Sequence, residues 1–226
     1  MTSLKKHWRL LTVLVFLQSL TCALPYVSWF NVESVVSASW MAGIAAHYSN
    51  VLVLFWFWMV AIPLIGTGAW WSSEINEGLY LEVWRHRTYR RWLARKLAFA
   101  AFLNTFVLGA GMSPFLLAAF PGQAHEVVGT LALVVAYSTG LSLIVVSTTV
   151  LGAKTSLAVV GALLLHAINI TFDGMGLPNA VQFFLPAERG DAFSLLITVL
   201  LLTLTTAVLL ARTTPAALIA RGSESR

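Results

Sequence analysis

Apolar residues along this chain come in long unbroken runs, not in alternation with polar ones. Six runs stand out, at about 10–30, 51–71, 97–120, 126–151, 156–172 and 193–211. A helix needs about 20 apolar residues to cross the hydrocarbon core of a bilayer. All the runs but 156–172 are long enough, and that one has to borrow residues from its flanks. The strict alternation of a barrel strand is absent, and helices are the other form that satisfies every backbone group in lipid. The pattern predicts an all-α polytopic membrane protein. It forms one domain over 1–226, with six transmembrane helices, a polar segment at 72–96 and a re-entrant-like outer segment at 173–192.

Composition agrees. Of the 226 residues, 58% are hydrophobic and 10% charged, against about 45–50% and about 25% in soluble domains. Disorder, a disulfide-built module and an ordinary soluble enzyme are excluded. The single cysteine, Cys22, forms neither an internal disulfide nor a cysteine-ligated zinc site. The net charge of +5 does not mark a nucleic-acid binder, because the basic residues sit in short stretches between apolar runs.

Those stretches set an orientation. Every Lys and Arg except Arg189 falls in the N-terminal stretch, in 72–96, in the turn at 152–155 or in the tail. The positive-inside rule then places both termini and 72–96 in the cytoplasm. Glu33, Glu126, Asp173, Glu188 and Asp191 fall on the outer side. Residues 1–23 also read as a cleavable signal peptide, with Lys5, Lys6 and Arg9 before the apolar stretch. Apolar character continues past Ala23 to Phe30, which favours a retained helix. Trp8, Trp29, Trp70, Trp71, Trp84 and Trp92 fall near run ends, where an amphipathic ring meets both lipid and water.

The segment 72–96 carries Glu74, Glu77 and Glu82 first, then Arg85, Arg87, Arg90, Arg91, Arg95 and Lys96. On a helix that order complements the macrodipole. Gly78 permits a bend, and Tyr80, Trp84, Tyr89 and Trp92 suit a membrane surface. An anionic-lipid anchor and a partner-docking helix both fit this pattern.

The stretch 55–105 has a more specific texture. An apolar-Pro helix end, AIPLIGTGAWW, is followed by a Glu, by Glu77-Gly78, by a short apolar patch, by Arg90-Arg91 and by Lys96. This resembles the permease subunits of type-2 ABC exporters, although His86-Arg87-Thr88 stand where that family often has a proline. The resemblance implies a cytoplasmic coupling helix between the second and third helices that docks on a separate ATPase subunit. Glu74, Glu77, Gly78, Glu82, Arg85, Arg90 and Arg91 would make that contact. It implies a second permease copy or a sister permease, and ATP and Mg bound by the partner, with no cofactor in this chain. It also implies a multi-pass location in a bacterial plasma membrane and export of a substrate such as an antimicrobial peptide. The chain would transport and not catalyse.

Polar groups inside apolar runs are costly and therefore informative. Asn104, Ser138, Ser142, His166 and Asn169 are candidates for a translocation path. His166 and Asn169 are three apart and share a helix face. Ala132, Ala136 and Gly140 repeat every four residues and suit close helix packing. Pro25, Pro63 and Pro114 are expected to kink their helices. The sequence holds no GxxxxGK[ST] and no G-x-S-x-G, and His125-Glu126 fails HExxH because residue 129 is Gly. An intramembrane hydrolase built on His166 with Asn169 or Asp173 is the alternative, and a small ion-driven carrier is a third.

Overall fold

A computed structural model of the chain describes residues 2–27, 50–76, 89–119 and 124–174. They form five helices: α1 (Thr2–Val27), α2 (Asn50–Asn76), α3 (Tyr89–Ala119), α4 (Ala124–Leu151) and α5 (Thr155–Gly174). No strand occurs among the described residues. The helical class follows from the long apolar runs, since each helix satisfies its own backbone groups.

α2 is the hub. It packs against α1, α3, α4 and α5, while α1 lies along α3, α3 along α4, and α4 along α5. Four helices thus stand in the order α1, α3, α4, α5 around one side of α2. Small residues permit the close approaches. Gly66 of α2 faces the Leu14 side chain of α1, and Gly68 faces Val159 of α5. Gly111 of α3 lies against Gln18 and the backbone of Ser19 on α1. Of the Ala132, Ala136 and Gly140 series, only Gly140 is buried, and Ala132 faces outward.

Two apolar clusters fill the interior. One, toward the N-terminal end of α1, gathers Leu11, Leu14, Trp70, Trp71, Trp92, Leu97, Leu103 and Val146. The other holds Cys22, Met59, Leu64, Leu108, Met112, Val134, Tyr137, Ala162 and Ile170. The turn between α4 and α5 is a Schellman cap. The amide of Ala153 donates to the Thr148 carbonyl at 2.9 Å and that of Gly152 to Thr149 at 3.1 Å. The φ of 132° at Gly152 is one that L side chains rarely adopt. This turn sends α5 back alongside α4. It also places Lys154 at the same end as Lys5, Lys6, Arg9, Arg90, Arg91, Arg95 and Lys96. All basic residues of the described helices therefore sit at one end, with Glu126 and Asp173 toward the other.

The six-helix expectation is corrected. Among the described residues two stretches are long and apolar enough to cross a membrane, Arg91–Phe115 in α3 and Val134–Leu151 in α4. Thr155–Thr171 is apolar but shorter, about 25 Å at helical rise. The apolar stretches of α1 and α2 also include polar or amphipathic residues: Gln18 and Thr21 in one, Thr67, Trp70 and Trp71 in the other. An indole carries an N–H and prefers the interface. Of the expected coupling segment over 72–96, residues 72–76 complete α2 and 89–96 open α3, while 77–88 lie outside the described residues. The run 193–211 and residues 175–192 of the outer segment lie outside the described residues. Pro63 and Pro114 lie within continuous α2 and α3.

Candidate functional site

Three buried polar clusters link the helices. The first lies at the basic end, where α1, α2 and α3 meet. Glu74 is one turn beyond Trp70 and Trp71, so all three point inward from α2. Its side chain is 8% exposed. Its Oε1 lies 3.0 Å from His7 Nε2 on α1. A carboxylate only accepts, so Nε2 is the donor. Its Oε2 accepts from the Lys96 ammonium on α3. One carboxylate thus ties three helices. The low local dielectric strengthens such contacts and makes any unpaired remnant costly.

Aromatic rings surround this bridge. Phe99 packs on His7 at 6.0 Å and on Trp70 at 4.9 Å between centroids. Trp70 meets Trp71 at 5.5 Å, Trp71 meets Trp92 at 6.4 Å, and Tyr89 stacks on Trp92 at 5.9 Å. The Lys96 nitrogen stands 5.9 Å from the Trp92 centroid, within cation–π range.

The second cluster lies deeper, around Asn104 of α3, which is fully buried. Its amide nitrogen donates to the Ala100 carbonyl at 2.8 Å and to Ser142 Oγ of α4 at 3.0 Å. A third contact reaches Thr67 Oγ1 of α2 at 3.2 Å. Its Oδ1 accepts from Ser138 Oγ at 2.7 Å and Ser142 Oγ at 3.2 Å. The Thr67 hydroxyl also reaches the Pro63 carbonyl at 3.0 Å and Ser142 at 3.2 Å. In this conformation the amide joins α2, α3 and α4.

The third cluster centres on His166 of α5, also fully buried. Its Nδ1 is 3.2 Å from the Tyr137 hydroxyl of α4. Its ring stacks on Phe57 of α2 at 5.8 Å and 17°. Asn169, one turn along, is 7% exposed.

The sequence-derived candidates therefore divide. Asn104, Ser138 and Ser142 come together, while His166 belongs to the Tyr137 cluster. Glu74 is turned into the bundle, Arg91 is exposed, and Arg90 lies on the first turn of α3. Glu77, Gly78, Glu82 and Arg85 lie outside the described residues. Sequence reasoning missed His7, Thr67 and Tyr137 as partners, and Gln18, which is fully buried on α1. A polar residue inside an apolar run was the available signal for Thr67 and Gln18. Among the described residues, no three His, Cys, Asp or Glu side chains are placed to share a metal ion.

Comparison with known proteins finds no matching family model, no matching curated protein and no matching solved structure.

Proposed function

We propose that this chain is a multi-pass permease subunit of a bacterial plasma membrane exporter, driven by a separate cytoplasmic ATPase that binds ATP and Mg. The observation that carries this reading is the Glu74 bridge to His7 and Lys96 at the basic end. In sequence, the segment 77–88 lies between the end of α2 and the start of α3. A force applied there by a partner acts on both helices at once, and the bridge makes α1 follow. α2 touches all the other described helices, so its displacement reaches the Asn104 and His166 clusters. The path opens when the contacts of Asn104 with Thr67, Ser138 and Ser142 part. The second permease copy or sister subunit supplies the other wall of the path, and an amphipathic peptide is the cargo class considered.

Glu77, Gly78, Glu82, Arg85, Arg90 and Arg91 contact the ATPase in this reading, and Glu74 transmits the movement inside the bundle. Charge reversal by Glu77→Lys or Arg91→Glu is expected to lower transport about tenfold or more, the size of a typical coupling free energy. Insertion and thermal stability should stay normal. Undiminished transport by both variants, measured in vesicles with the ATPase present, would contradict the reading.

A further inference from the structure

The leader-like pattern at the N-terminus is a sequence motif that the transport reading leaves unused. Lys5, Lys6 and Arg9 precede an apolar stretch, and Thr21, Cys22 and Ala23 supply the small residues of a cleavage site. A leader of that kind needs only an apolar core. Whatever it packs on is bared when it is removed, so the remaining chain has no reason to carry a surface shaped to it.

α1 has a distinct inner side, and the rest of the chain is shaped to that side. His7, Leu11, Leu14, Gln18, Thr21 and Cys22 are buried, at the three- and four-residue steps of one helix face. Trp8, Val13, Phe16 and Leu20 are exposed. The buried face meets a fitting partner at each level. The His7 ring donates to Glu74 of α2 at 3.0 Å. Leu11 enters the cluster of Trp70, Trp92 and Leu97. Gly66 of α2 leaves room for Leu14, and Gly111 of α3 leaves room for Gln18. Cys22 joins Leu108 and Met112 in the second apolar cluster.

The cleavage position itself is closed. α1 runs without a break through Ala23 to Val27. The Thr21 hydroxyl donates to the Leu17 carbonyl at 3.0 Å, and Thr21 and Cys22 are both buried. Proteolytic nicking concentrates at exposed loop tips, not within a packed helix.

We infer that residues 2–23 are not removed as a leader but stay in the mature protein as a permanent wall of the bundle. Their removal would take from Glu74 one of the two partners that hold it, leaving a buried carboxylate less well compensated. It would also uncover the apolar faces of α2 and α3 that Leu11, Leu14 and Cys22 now cover.

The test is the intact mass of the full chain, tagged at its C-terminus and purified from its native membrane. The mass should include residues 2–23. A mass that lacks residues 1–23 would overturn the inference. A second chain carries a heterologous cleavable leader in place of residues 2–23, which delivers Leu24 to the same side of the membrane as α1 does. Once cut, that chain should melt about 10 °C or more below the full chain in detergent, or fail to accumulate. Equal melting temperatures would overturn the structural role given to α1. Neither measurement needs ATP, a partner or a cargo, so failure here is distinct from failure of the transport reading.

Discussion

Glu74 and Asn104 show how much one polar side chain does in an apolar bundle. Removing one member of a buried charged set leaves the others uncompensated, at a cost of about 3–5 kcal/mol. Glu74→Ala and Lys96→Ala should each lower stability by that order, and the double variant should lose less than the sum. A double-mutant cycle by thermal unfolding in detergent checks this, and strict additivity would deny the coupling. At Asn104 the substitution to Leu keeps most of the volume. It strips the partners of Ser138 and Ser142, for an expected loss of about 1–3 kcal/mol. Unfolding of Asn104→Leu at the wild-type temperature would show that the amide does not hold α2, α3 and α4 together. Asn104, Ser138 and Ser142 were legible in the sequence because a polar residue in a long apolar run must find a partner. Which partner was not legible. The neighbours depend on helix order around α2, and no residue spacing encodes that order.

At the scale of elements, the closest contact that a substitution cannot relax lies between α1 and α3. A Cβ on Gly111 would stand 2.5 and 2.7 Å from Gln18 Cγ and Cβ, and 3.4 Å from the Ser19 amide nitrogen. Atoms so near a backbone cannot swing away, so the helices must part. Gly111→Ala should destabilise the bundle by about 1–3 kcal/mol. Gly109→Ala, with nothing within 4 Å of the added carbon, should be neutral or slightly stabilising through helix propensity. Equal melting temperatures for the two variants would contradict the packing described. Helix existence was readable for α2 to α5, whose apolar runs match the observed helices to within a few residues, apart from extensions at the α2 and α3 ends. The number of membrane crossings was not readable in the same way. Among the described residues two helices reach crossing length, while α1 and α2 carry Gln18, Thr67, Trp70 and Trp71 within their apolar stretches. Of the 72–96 segment, 72–76 belong to α2 and 89–96, with Tyr89 and Trp92, belong to α3.

At the scale of the whole molecule, the gathering of all basic residues of the described helices at one end gives the bundle a polarity. The Glu74 bridge and the connection between α2 and α3 both lie at that end, where an ATPase would meet the chain. The measurement that tests this most directly is a mild-detergent pull-down of the tagged full chain from its native membrane. Co-purifying proteins would be identified and the fraction assayed for ATP hydrolysis. The account predicts a stoichiometric P-loop ATPase that is lost with Glu77→Lys and Arg91→Glu. A chain that purifies alone, with no ATP hydrolysis in the fraction, would contradict it.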